Sequence, residues 1–300
     1  MKRRLTLILP LLLVLTFVAA ALTPSAARAA DEKAKEMFNK GVTAQNEGKV
    51  DQAVLAYKAA IAADPAYVDP YLNLGAIYFE RNQLDDAAKT FQTAAEKDPK
   101  SVDAYANLAR VEMKAKRYVE SETAFKSAIA LDTKDAGLHR DLGRVYFEKG
   151  NFPEAIGELE KCNQLGGADT LTWYMIGKSY EKDGKKSEAI AALDKSNAIK
   201  ANYRALYALG NLYLDQQKYD DAAKMFKSAL KADPKGYYAA YNYAIAVETA
   251  NQDNIDENIA NWQDFIRIAK NNPKAKARVT EAIDHVKELQ KAKATRASGN

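Results

Sequence analysis

The stretch HRDLGRVYFEKG, residues 139 to 150, sets Arg140 and Arg144 four positions apart. On a helix that spacing puts both on one face. A guanidinium presents two parallel N–H donors to a carboxylate, so the chemistry this pair offers is anion capture. Other reactive side chains are thinly spread. The two histidines, His139 and His285, lie in different segments with no cysteine close by, which argues against a metal site. His139 reads as a packed residue. Cys162 is the single cysteine, so no internal disulfide can form, and it reads as a small buried apolar side chain. Gly177-Lys178-Ser179 has the ending of a phosphate-binding loop, but Thr172 stands where the leading glycine is needed. Asp85-Asp86 and Asp220-Asp221 fit helix starts, where carboxylates favour the positive end of the helix dipole. No Ser/His/Asp or Cys/His set is apparent, so the chain reads as a protein without catalytic residues, cofactor, metal or small-molecule substrate.

The elements that position these residues are bounded by composition. The chain has 300 residues, 47% of them hydrophobic, with no long polar tract dividing it. Either one extended body or two modest domains is compatible with that length. Residues 1–29 read as a bacterial-type signal peptide: Lys2, Arg3 and Arg4 precede an apolar run from Leu5 to Leu22, and Ala27-Arg28-Ala29 offers cleavage before Ala30. The expected location is therefore exported and periplasmic. The alternatives are a secreted protein or an uncleaved anchor facing the periplasm, the latter because the run approaches the length of a bilayer span. Membrane association is expected only in the anchored case. The chain carries 44 Lys and Arg against 40 Asp and Glu. Four of the cations (Lys2, Arg3, Arg4, Arg28) and none of the acids fall within the leader, so the remainder is balanced and no nucleic-acid partner is implied.

Laid against itself at a spacing of 34, the chain brings YLNLGAIYFERNQLDDAAKTFQTAAEKDP (71–99) over YANLARVEMKAKRYVESETAFKSAIALDT (105–133) and HRDLGRVYFEKGNFPEAIGELEKCNQLGG (139–167). Leu74, Leu108 and Leu142 align, as do Ala87, Ser121 and Ala155. This pattern resembles the tetratricopeptide repeat family over nearly all of residues 34–273. Seven units are read: 34–67, 68–101, 102–135, 136–169, 170–202, 203–236 and 237–273. Each holds two amphipathic helices, A and B, that approach closely at small residues such as Gly143 and Ala155. The third unit departs from the pattern with Ala109 and Glu112. The seventh does so with Asn258 or Asn261, where a small residue is expected. Residues 274–293 suit a capping helix, and 294–300 read as a disordered tail. The expected fold is all-α: a tetratricopeptide-repeat solenoid, a right-handed superhelix of helical hairpins.

The resemblance implies that the fifth, sixth and ninth positions of each A helix face a concave groove. These columns place Arg110, Arg140, Arg144 and Lys178 in the central units, Tyr174, Tyr207 and Tyr241 toward the C-terminus, and Asn73, Asn107, Asn211 and Asn242 along the track. They make up the candidate peptide-binding set, with asparagines for peptide amides, cations for carboxylates and tyrosines for apolar side chains. The family's clamp for acidic C-termini is matched at Asn211 and Asn242 but not at Tyr207, where lysine is required, so that activity is not carried over. The implied partner is a protein or peptide segment, acidic or mixed in charge. The leading reading is a non-catalytic scaffold or adaptor of the cell envelope. A second reading is a periplasmic holdase that uses the tyrosines. A third set of outcomes remains open, in which the same side chains pair with one another and only stabilise the repeats.

Overall fold

The structure, a computed structural model, describes residues 24–298; the expected leader as far as residue 23 and the last two residues lie outside the described residues. Among the described residues there are fifteen α-helices and no strand. None of these helices is long and apolar enough to cross a membrane. By their contacts the residues form two compact units, one ending at Ile77 and the other beginning at Tyr78.

The first unit contains α1 (Pro24–Asn46), α2 (Val50–Ala63) and most of α3 (Asp69–Glu80). Gly41 is where α1 and α2 meet: a Cβ there would lie 2.5 Å from the Tyr57 ring. Tyr57 is fully buried, and its hydroxyl donates to Gln45 at 2.8 Å. Phe38 meets the edge of Tyr67, with ring centroids 5.3 Å apart.

The second unit begins in the last turn of α3 and continues through α4 (Leu84–Lys97). Four hairpins follow: α5 (Val102–Lys114) with α6 (Tyr118–Leu131), α7 (Ala136–Lys149) with α8 (Phe152–Gln164), α9 (Thr170–Lys182) with α10 (Lys186–Ile199), and α11 (Tyr203–Asp215) with α12 (Tyr219–Ala232). A fifth pairs α13 (Tyr237–Ala250) with α14 (Ile255–Ala269); a 3-10 turn at Pro273–Ala275 then leads into α15 (Lys276–Ser298). From α5 to α13 each odd-numbered helix touches the next, so these helices lie side by side as one layer.

Short polar side chains start α5, α7, α9 and α11. Asp135 Oδ1 accepts from the Gly137 amide at 2.7 Å, Asp169 Oδ1 from Thr172 at 2.7 Å and Asn202 Oδ1 from Ala205 at 2.9 Å. Each such cap satisfies an amide that the helix itself cannot. Every hairpin turn except that between α13 and α14 uses one residue at positive φ. Gly150 supplies it at +82°, but Asn82, Lys116 and Gln217 adopt the same region at 58°, 60° and 59°. Within the hairpins large B-helix side chains fill the space beside an A-helix glycine: a Cβ on Gly143 would stand 2.7 Å from Leu159, and one on Gly210 2.5 Å from Phe226. Phe125, Phe226 and Phe265 are fully buried, each stabilising the stack by about 1.5–3 kcal/mol.

The third repeat, residues 102–135, compensates for its departures. Ser121, standing where its neighbours have alanine, donates to the Ala109 carbonyl at 2.7 Å. Glu112, buried in place of a tyrosine, takes Arg117, which also reaches Asp85 at 2.9 Å. Buried Asn258, a polar residue at a small-residue position, donates through Nδ2 to the Asn251 carbonyl at 3.0 Å.

The first helix begins at Pro24. One expectation about the ends needs correction: α15 runs on to Ser298 where a disordered tail was expected from residue 294. The extension has partners in the α14 region, with Lys293 bonded to Asp256 and Arg296 to Asp253 at 3.4 Å.

Candidate functional site

The second unit has a cavity of about 650 Å³ where α5, α7, the last turn of α3 and the α5–α6 turn converge. Arg110, Arg140 and Arg144 line it, joined by Lys114 and Lys116, with Phe79, Met113 and Tyr118 as apolar wall. Two carboxylates, Asp141 and Glu148, share the lining with these five cations, so the cavity is cationic overall.

The three arginines are not equivalent. Arg110 Nε donates to Asp141 Oδ2 at 3.0 Å, and its Nη1 donates to Asn107 Oδ1 at 3.3 Å. Arg140 has only distant carboxylates, Asp141 at 3.8 Å and Asp169 at 3.9 Å. Arg144 is exposed, with neither hydrogen bond nor ion pair among the described residues. The cavity therefore has one guanidinium fixed in place, one loosely held and one open. An incoming carboxylate would meet charge that the protein has not already neutralised.

The remaining residues of the expected set are distributed otherwise. Lys178 is bonded to Glu181 on its own helix and is not part of the cavity wall. Asn242 Nδ2 donates to Asn211 Oδ1 at 2.8 Å and approaches the Tyr207 hydroxyl at 3.4 Å, so the two asparagines are joined to each other. Tyr174 packs against the Leu193–Leu209 core, and burial raises its hydroxyl pKa. Tyr207 stacks on Tyr203 with ring planes 5° apart and also meets Phe226. Tyr241 sets its ring against the edges of Trp262 and Phe265, at 5.5 and 5.1 Å. Asn73 belongs to the first unit, where its Nδ2 donates to the Asp69 carbonyl at 3.0 Å.

Sequence reading missed Lys114 and Lys116. Lys114 is four residues beyond Arg110, the same spacing that drew attention to Arg140 and Arg144. Its ammonium sits 4.5 Å from the Phe79 ring centroid. A second cavity, about 350 Å³, was also missed. It lies where α13, α14 and α15 meet, between Tyr241, Ile245, Trp262, Ala282 and the polar side chains Glu248, Glu281 and His285. Trp262 Nε1 donates to Glu248 Oε2 at 2.7 Å, and His285 Nε2 lies 2.9 Å from the same oxygen. The capping helix thus contributes to the surface rather than only closing the stack. His139, by contrast, is buried with Nδ1 2.6 Å from Glu158. Cys162 is buried too, and burial pushes its thiol pKa up. Among the described residues no group of three His, Cys, Asp or Glu is placed to hold a metal ion.

Models described as tetratricopeptide repeat match residues 44–111, 112–164, 171–203 and 207–254. The chain belongs to the tetratricopeptide repeat family, and its fold is that of a protein-interaction scaffold. No curated protein matches it. Among solved structures, a crystal structure of the MamA protein is 28% identical over 55% of this chain and 90% of its own, with a TM-score of 0.53. YrrB, described as a tetratricopeptide-repeat protein with an unusual peptide-binding site, is 22% identical over 62% of this chain and 95% of its own, with a TM-score of 0.52. The C-terminal part of a repeat protein from Cytophaga hutchinsonii has a TM-score of 0.63 at 19% identity, covering 84% of this chain and 98% of its own. The latter two likenesses concern the fold alone.

Proposed function

We propose that the second unit holds an extended, acidic segment of a partner protein against its layer of odd-numbered helices, as a non-catalytic adaptor of the bacterial cell envelope. The observation that carries this reading is Arg144: an exposed guanidinium paired with no carboxylate among the described residues, in a cavity where cations outnumber acids. Arg140 stands one helical turn away, and Phe79 and Tyr118 offer apolar surface for the side chains between the acids.

Arg144→Glu is the direct test. Loss of one charged hydrogen bond weakens capture of the native partner by about 1.5–3 kcal/mol. Undiminished capture by the reversed-charge protein in a pull-down would refute the acidic-segment reading. The holdase reading draws less support, because Tyr174, Tyr207 and Tyr241 are engaged in packing against neighbouring rings and core side chains.

The adaptor's place in the envelope rests on the basic and apolar leader alone. N-terminal sequencing of the protein from cells tests it: a start at Ala30 fits a free periplasmic protein, whereas a retained leader would make it a tethered one.

A further inference from the structure

Two cavities of the second unit differ in charge. Beside Arg110, Arg140 and Arg144 the lining carries five cations against two carboxylates. Where α13 meets α15 the charged lining is Glu248 and Glu281, with His285 bonded to Glu248, between the rings of Tyr241 and Trp262. Rings at this end already take a cation: the Arg278 guanidinium lies 5.4 Å from the Tyr238 centroid and 5.5 Å from that of Tyr241. Glu281 is exposed, with no bond or ion pair to any described residue. The site thus has an open carboxylate beside the half-buried Tyr241 ring, mirroring the open Arg144 at the other cavity.

We infer that the partner segment is dipolar, with carboxylates seated at Arg140 and Arg144 and a lysine or arginine seated between Glu281 and the half-buried Tyr241 ring. This deepens the reading of an extended acidic segment and rests on it. The spacing follows from the layer. Packed helices lie about 8–10 Å apart, so the three steps α7 to α9 to α11 to α13 cover about 25–30 Å. An extended chain needs about eight or nine residues for that distance. A segment with only the acidic end would satisfy one cavity and leave the other to water.

Fluorescence-labelled synthetic peptides test this with the full chain. One series has Asp-Asp and Lys-Lys ends joined by a neutral linker of about nine residues, made in both orders because the layer does not fix chain direction. A second has the same ends joined by about three residues, and a third has Asp-Asp with neutral residues elsewhere. One order of the long dipolar peptide is expected to bind about 5- to 10-fold tighter than the purely acidic one. The short dipolar peptide should show no such gain. Glu281→Lys should abolish the gain while leaving the acidic peptide's affinity unchanged, and Arg144→Glu should weaken both. Equal affinity of the long dipolar and acidic peptides, or a gain that survives Glu281→Lys, overturns the dipolar inference and leaves the acidic-segment reading standing. Absence of binding by every peptide, or affinity for the acidic peptide indifferent to Arg144→Glu, overturns both.

Discussion

Arg110 Nε donates to Asp141 Oδ2 at 3.0 Å, joining α5 to α7 across 31 positions of sequence. Asp141 therefore occupies a guanidinium in the way an incoming carboxylate would, and its other oxygen lies 3.8 Å from Arg140. Asp141→Asn keeps the side-chain volume and removes this internal competitor. The partly exposed pair contributes little to folding, so unfolding free energy is expected to fall by about 0.5–1 kcal/mol. Affinity for an acidic peptide at low salt should rise by about 3- to 10-fold, read by titration, and the gain should shrink as salt is added. Weaker binding would mean that Asp141 positions Arg110 rather than competes for it.

Gly143 and Gly157 provide a matched pair of tests for hairpin packing. A Cβ at Gly143 would stand 2.7 Å from Leu159 Cγ and 3.2 Å from the Ala155 carbonyl, whereas one at Gly157 meets nothing within 4 Å. Gly143→Ala is expected to destabilise by about 1–3 kcal/mol through overpacking. Gly157→Ala, on the exposed face of α8, should stabilise by about 0.5–1 kcal/mol through reduced backbone entropy. Chemical denaturation of both variants checks the signs.

That pairing of small and large residues is also why the fold was legible. Aligning Leu74, Leu108 and Leu142 fixes the register, and the alternation of Gly143 with Leu159 or Gly210 with Phe226 follows from it as local packing. The site was legible only in part. Counting helix positions identified Arg110, Arg140 and Arg144, because the fifth and ninth positions of successive odd-numbered helices are set by the repeat. It could not determine that Lys178 would pair with Glu181, since ion-pair competition depends on rotamers and distance rather than on position. Lys116 lies in a turn outside the counted columns. The helical end of α15 was hidden for another reason: the acids that hold Lys293 and Arg296 are 37 and 43 residues away.

Glu122 gives the fold an acid-sensitive clasp. Hydrogen bonds from Lys126 at 2.7 Å and from Lys149 hold its carboxyl at about 2, well below the ordinary 4.5, and it also accepts from the Tyr146 hydroxyl at 3.2 Å. A carboxyl depressed in the folded state stabilises fully above its unfolded value and loses that contribution as pH falls toward its folded value. The loss should therefore run from about pH 4.5 down to about pH 2. With solvent screening, Glu122→Gln is expected to cost about 1 kcal/mol at pH 7, with the difference closing as pH falls through the folded value. Denaturant midpoints of both proteins across that range test the convergence.

Glu248 ties three helices together at the C-terminal end. It lies on α13, accepts from Trp262 Nε1 on α14 at 2.7 Å and meets His285 on α15 at 2.9 Å. Trp262 is buried, so Glu248→Ala leaves its indole N–H without this acceptor, at a cost of about 1–3 kcal/mol. In a Trp173→Phe background Trp262 is the only indole, and its emission should shift to the red as α15 loosens. An unchanged spectrum and melting curve would show that apolar contacts of Ala275, Ala282 and Val286 hold α15 unaided.

Lys116 sets stability against binding. Its φ of 60° is a region that glycine adopts freely and lysine does not, yet its side chain lines the cationic cavity. Lys116→Gly removes the steric cost, although it also gives the unfolded chain more freedom. The left-handed strain of about 1 kcal/mol per residue is the larger effect, so the variant should be more stable by a few tenths of a kcal/mol up to about 1. The same change takes one cation from the cavity and should weaken capture of an acidic peptide by about 2- to 5-fold at low salt. Asn82→Gly has the same turn geometry at a position outside the cavity lining, and it should gain stability without altering binding. Parallel denaturation and peptide titration of the two variants separate the backbone effect from the charge. If Lys116→Gly gained stability with affinity unchanged, Lys116 would be a residue of the turn alone.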